Sequence, residues 1–128
     1  MVDLSHDRPG DHHYIRSLDR HGVLIGDESY SGPILVAAQR IITAWPPRTM
    51  DELQETHLQM IYELKPEVVL LGTGATHVFL PPRLMVAFYQ QGIGIEAMST
   101  EAACRTFNVL VSEGRNVVAA LLPVRAAS

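Results

Sequence analysis

Two apolar runs, Val68–Leu71 and Val117–Leu122, constrain this chain more than any other feature of it. Each falls far short of the roughly 20 residues that span a bilayer, so each reads as a buried strand. The sequence between and around them changes type at regular intervals. It reads as a strand over Glu67–Leu71, a helix over Pro82–Gln91, a strand over Ile93–Glu96, a helix over Thr100–Ser112 and a strand over Asn116–Leu121. Strands separated by helical crossovers lie parallel and are joined with right-handed connections, so the C-terminal half is α/β. The caps agree. Pro82 suits a first helical turn, where its missing N–H has no partner, and Gly92 and Gly114 stand where helix C-caps want a positive φ.

The N-terminal half has another rhythm. Short β-compatible stretches, Tyr14–Leu18, Val23–Ile25, Ser29–Tyr30, Ile34–Ala37 and Arg40–Ala44, are separated by His21-Gly22, Gly26-Asp27 and Gly32-Pro33, and read as one antiparallel meander. After Trp45-Pro46-Pro47 the period changes: Leu53, His57, Met60, Ile61 and Leu64 recur at helical steps. Thr49 with Glu52 forms a capping-box pattern at the start of that helix, and Pro66 lies beyond its end, giving a helix over Asp51–Leu64. At 128 residues the chain is sized for one domain. We expect a flexible arm over residues 1–13, the domain over 14–122 and a short tail over 123–128.

Charge and cysteine usage exclude several function classes. Ten Lys plus Arg against fourteen Asp plus Glu give a net charge of −4, and the basic residues, Lys65 and nine arginines, form no cluster. No field of this kind attracts a phosphate backbone, so no nucleic-acid partner is expected. One cysteine, Cys104, allows neither an internal disulfide nor a Cys-based zinc site and suits a reducing compartment. The polar Met1–Gly10 lacks the apolar centre of a secretory signal, so a cytoplasmic protein without an integral membrane segment is expected.

The buried strand at Val68–Leu71 runs into Gly72-Thr73-Gly74, a turn whose backbone amides can cradle an anion. A dinucleotide site fits poorly: His77 occupies the third glycine position and Pro81-Pro82 delays the helix, although Glu96 falls near the place of a ribose-binding acid. A small-ligand site at the carboxyl ends of the parallel strands would gather Gly72, Thr73, Gly74, Met98, Ser99 and Thr100. Thr100, or Ser99 beside it, more often simply caps its own helix, and capping is the favoured reading of the two. Asn108 is grouped with this site, its amide expected to satisfy loop backbone near Gly72.

Other candidates are weaker. His6, His12 and His13 with Asp7 and Asp11 are metal-ligand types, but a flexible arm must lose its ordering entropy to hold them, and no metal or other cofactor is expected. His57 reads as a histidine at the core edge, His21 as turn chemistry and Cys104 as a small buried hydrophobe. Val78-Phe79-Leu80-Pro81-Pro82 is an apolar, proline-stiffened loop that is either tucked into the core or offered to a partner. Tucking is the favoured reading, since most large apolar side chains are buried; if it is offered, Phe79, Leu80 and Pro81 carry the contact. No paired carboxylates, Ser-His-Asp set, P-loop or His-Glu-x-x-His pattern occurs, so no catalytic residues are assigned.

Pro66–Gly74, then Gly92–Thr100, Ala103, Thr106, Asn108, Leu110 and Glu113–Val117, taken as a set, resemble the Mth938-like family, also known as domain of unknown function 498/598. The likeness extends over about Tyr14 to Leu122. It implies a three-layer fold: a central mixed sheet, helices packed on it and an additional small β-sheet, here supplied by the N-terminal half. It matches Gly72, Thr73, Gly74, Met98, Thr100, Asn108, Gly114 and Arg115 to family positions and implies a catalytic role for none. Related mitochondrial proteins act in assembly of respiratory complex I, so the resemblance implies a non-catalytic assembly factor with a protein partner. The alternative is a small-anion or metabolite-binding protein, or an enzyme of unrecognised type, using the Gly72–Gly74 turn. A homodimer is a third possibility, on which the sequence is silent.

Overall fold

The structure, a computed structural model, describes residues 12–124. The arm through Asp11, with His6, Asp7 and Asp11 of the metal-ligand set, and the tail from Arg125 lie outside the described residues.

Among the described residues, eight strands and three α-helices follow one another along the chain. Strands β1 (Ile15–Asp19), β2 (Gly22–Ile25) and β3 (Glu28–Tyr30) form a small antiparallel sheet in the order β1-β2-β3. Strands β4 (Ile34–Val36) and β5 (Ile41–Ile42) then leave it. They pair with the C-terminal half instead, where β6 (Val68–Gly72), β7 (Gly94–Met98) and β8 (Val117–Leu121) complete a five-stranded sheet in the order β5-β4-β8-β6-β7. β6 is parallel to both β7 and β8, while β4 is antiparallel to β8 and to β5, so the central sheet is mixed. The single meander is therefore corrected to two sheets. Ile34, Leu35 and Val36 are all buried, which a half-solvated meander strand cannot be but a strand covered on both faces must be.

Alternation along the central strands divides the core. Val69 and Leu71 of β6, with Val118 and Ala120 of β8, face a cluster that includes Trp45, Leu58, Ile61, Leu84 and Phe88. Leu70, with Val117, Ala119 and Leu121, faces Ile15, Val23, Ile25, Ala103, Cys104 and Phe107. The first cluster is capped by α1 (Glu55–Tyr62) and α2 (Pro82–Gln90), and the second by α3 (Thr100–Ser112) and the small sheet. The crossovers β6-α2-β7 and β7-α3-β8 run in opposite directions across the sheet, so a shared right-handedness puts their helices on opposite faces.

Helix ends follow local chemistry. Gly92 and Gly114 adopt φ of +75° and +80° just past α2 and α3, as expected of C-cap glycines. The first helix starts later than expected. Thr49 and Glu52 belong to an isolated 3₁₀ turn, Met50–Glu52, in which Thr49 makes no side-chain cap and Glu52 accepts from the Arg48 N–H at 2.8 Å. The capping box sits at Gln54 and His57, whose Nδ1 accepts the Gln54 N–H at 3.0 Å. His57 is thus a capping residue, and its carbonyl accepts from the buried Trp45 indole at 3.1 Å.

Candidate functional site

In an open α/β sheet the place to look for a ligand is the crevice where successive crossovers leave for opposite faces. Here that is the gap between the carboxyl ends of β6 and β7, where Gly72-Thr73-Gly74 meets Met98-Ser99-Thr100. The structure brings these residues together and links them by hydrogen bonds within the protein. Thr100, 1% exposed, accepts the Gly74 N–H at 2.9 Å and donates to the Leu122 carbonyl at 2.7 Å. Its own N–H donates to the Gly74 carbonyl at 2.9 Å, the Thr73 N–H donates to the Met98 carbonyl at 2.8 Å, and the Leu122 N–H donates to the Gly72 carbonyl at 2.9 Å. Thr73 donates its hydroxyl to the Thr76 carbonyl at 2.6 Å, with the Met98 carbonyl at 3.1 Å, and accepts the Val78 N–H at 3.1 Å. Gly72 is glycine because a Cβ there would meet the Thr100 Cα and Oγ1 at 2.9 Å.

The amides expected to cradle an anion at Thr73 and Gly74 are thus already used between β6, β7, α3 and the chain after β8. Ser99 caps α3, its Oγ accepting the Ala102 N–H at 3.2 Å. Met98 closes β7, which runs past Glu96; that carboxylate stands exposed in mid-strand instead of at the strand end. Asn108 is elsewhere. Its Oδ1 accepts the Ile15 N–H and its Nδ2 donates to the Ile15 carbonyl, both at 2.8 Å, so it ties α3 to the edge of the small sheet and not to the loop at Gly72.

The loop between β6 and α2 has the opposite character. Phe79 is 83% exposed, against the expectation that it tucks in, while Leu80 is half-buried against the α1/α2 core and Pro81 is the N-cap of α2. The reason is local. Thr73 binds the loop to itself through Thr76 and Val78, and Pro81-Pro82 fixes its exit, so Leu80 turns inward and Phe79 points out against the His77 ring at 4.8 Å. Helix α2 buries Leu84 and Phe88 and exposes Val86 and Tyr89, one turn apart. One signal in the sequence marks this surface: none of the fourteen acids falls between Val68 and Ile95, where Arg83 is the lone charged side chain besides His77.

Burial pushes the Cys104 thiol up to about 12, Glu101 adding to the rise and Arg105 opposing it, so at neutral pH it is a protonated thiol and no nucleophile. Among the described residues no group of three or more His, Cys, Asp or Glu is placed to hold a metal ion, and no helix is long and apolar enough to cross a membrane.

A family model described as "Protein of unknown function (DUF498/DUF598)" matches residues 15–122. A Bos taurus protein named NADH dehydrogenase (ubiquinone) 1 alpha subcomplex assembly factor 3 is 33% identical over 112 residues, covering 86% of this chain and 60% of that protein. The chain therefore spans only about 60% of the length of that relative. Among solved structures, a Bordetella pertussis protein described as a Mth938-like domain superposes with a TM-score of 0.78 at 27% identity, covering 90% of this chain and 88% of that one. A Bartonella henselae structure described as an outer membrane protein gives 0.76 at 33% identity, covering 89% and 97%.

Proposed function

The chain belongs to the DUF498/DUF598 family, and from that membership we propose that it is a non-catalytic assembly factor that holds a protein client through the loop 73–81 and the outer face of α2. The observation that carries this reading is Phe79, an aromatic ring 83% exposed on a loop that Thr73 and two prolines hold stiff. A large apolar side chain kept in water by a rigid loop is a ready anchor, because binding buries it without first ordering the loop. Leu80 and Pro81 set its direction. The relatives named as subunit assembly factors for NADH dehydrogenase supply the class of client: a respiratory or other membrane complex under construction. The net charge of −4 supports a protein client over nucleic acid, and the single buried thiol supports work in the reducing cytoplasm of a bacterial cell. The strand-end reading draws less support, since its amides and the Thr100 hydroxyl are engaged within the protein.

Affinity capture of the tagged chain from its own cells, in mild detergent, tests the proposal. Capture should enrich subunits of one membrane complex, and Phe79→Glu should reduce that enrichment at least about tenfold, as loss of an interface anchor does. The variant should keep its stability within about 0.5 kcal/mol, as for other exposed positions. Undiminished capture by folded Phe79→Glu removes the loop from the interface. Recovery of the chain as a stoichiometric homodimer, or wholly with outer-membrane fragments, replaces the client or the compartment respectively.

A further inference from the structure

A cleft of about 550 Å³ opens between the small sheet and β5, remote in sequence from the loop at Phe79. Its walls divide by chemistry. Ile25 is buried and Ile41 half-buried along it, and the rings of Tyr14 and Tyr30 extend the apolar surface. The basic side chains that line it are His12, His13 and Arg16, and among the described residues no Asp or Glu lines it. That is unusual in a chain of net charge −4.

The basic groups are held in place by carbonyls. His13 Nδ1 lies 3.1 Å from the Ala37 carbonyl and His12 Nδ1 lies 3.0 Å from the His13 carbonyl. A carbonyl only accepts, so in both rings Nδ1 is the donor and the backbone fixes the ring orientation. Arg16 Nη1 donates to the Gly26 carbonyl at 3.1 Å, which leaves most of its guanidinium donors unused. The acids beside the cleft among the described residues are solvent-exposed, and a ligand carboxylate on Arg16 would compete with Asp27. Asp27 stands 3.6 Å from Arg16 with its side chain fully in water, and Glu28 accepts the Tyr30 hydroxyl at 3.0 Å on the outside.

From this juxtaposition we propose that the cleft binds a small amphipathic carboxylate, its apolar body against Ile25 and Ile41 and its carboxylate on Arg16. The volume lies within the range of about 300–1,000 Å³ usual for small-molecule sites, and a guanidinium fork is suited to a carboxylate. The inference is independent of the client-binding loop.

The test uses the ¹⁵N-labelled full chain titrated with sodium decanoate, with decanol as the uncharged probe of the same length. Decanoate should shift amide signals clustered on His13, Tyr14, Gly26 and Tyr30, with decanol at least about tenfold weaker, the worth of one charge-assisted contact. Arg16→Gln should lower decanoate affinity about tenfold while the rest of the spectrum is unchanged, and Arg16→Lys should restore part of it. Shifts centred on Phe79 and Tyr89 instead, equal affinity for decanol, an unaffected Arg16→Gln variant, or no saturable shift in the cleft would each overturn the proposal.

Discussion

Asn108 does for β1 what a neighbouring strand would do. Among the described residues no strand lies on the outer edge of β1, and Ile15, 4% exposed, has its backbone N–H and carbonyl bonded to Asn108 of α3. A side-chain amide is the one neutral group that offers a donor and an acceptor at that spacing, and Asn108 satisfies both across 93 residues of chain. Asn108→Ala removes both partners at once and should cost about 2 kcal/mol, since buried polar groups left unpaired lose about 1–3 kcal/mol. Urea unfolding checks it: a loss below about 0.5 kcal/mol would mean that water replaces the amide. Glu67 has a comparable role at the opposite end of the sheet. It accepts the Asn116 N–H at 3.0 Å and Arg115 Nε at 3.1 Å, and Asn116 Nδ2 donates to the Lys65 carbonyl at 2.8 Å. The Asn116 amide first, then Arg115, holds the Glu67 carboxyl below its ordinary range, so this exposed clip is present at neutral pH and is lost as pH falls through that lowered value.

Helix α3 joins the two sheets, and its chemistry gives the fold its alkaline limit. Cys104 lies between α3 and the core, where burial raises its thiol from 9.0 to about 12. In the unfolded chain that thiol ionises near its ordinary value, so the folded form keeps a proton that the unfolded form releases. Stability is therefore full below about pH 9 and declines as pH rises toward 12. Tyr62, raised by burial and then by Glu55, and Tyr30, raised by burial and then by Glu28, act in the same direction at higher pH. Between pH 8 and 10.5 the protein should lose on the order of 2 kcal/mol, and Cys104→Ala should flatten that decline despite a small cavity cost at pH 8. An unchanged pH profile in the variant would move the alkaline limit elsewhere. The bounds of α2 and α3 were legible because Pro82, Gly92, Ser99 and Gly114 act within a turn of where they stand. The start of α1 was not, because Thr49/Glu52 has the capping pattern but closes only a 3₁₀ turn, while the working cap, Gln54 with His57, has no conventional signature. The candidate sites divide in the same way. The residues of the Gly72–Thr100 contact could be listed from local pattern, but whether that crevice was open or filled, and that Asn108 reaches Ile15, depended on pairings across the whole chain.

At the scale of the molecule, the N-terminal strands are shared between two sheets. A strand's sheet is chosen by long-range pairing: β4 lies beside β8, some 80 positions later, with Ile34 opposite Leu121, while β3 stays with β2. The chain between Tyr30 and Ile34 therefore steps from one sheet to the other, and the loop carrying Phe79 lies on the α2 side of the central sheet while the cleft lies at the seam with the small one. These two parts differ in how they are held. β6 and β8 have strands on both edges and core on both faces, whereas β2 alternates half-buried and buried residues, β3 buries none, and the small sheet meets the core on one face only, tied to α3 through β1 and Asn108. Opening the small sheet exposes one apolar face and three short strands; opening the central sheet exposes the entire core. Native-state hydrogen exchange should therefore rank Val69–Leu71 and Val118–Ala120 slowest, at the free energy of global unfolding, with Val23–Ile25 and Ser29 exchanging at least about tenfold faster by separate opening. Asn108→Ala should widen that gap, because it loosens the small sheet more than the central one. If both sheets exchange at one rate, and the variant slows or quickens them together, the domain opens as a single unit, and a ligand in the cleft would stabilise the client-binding side as much as its own.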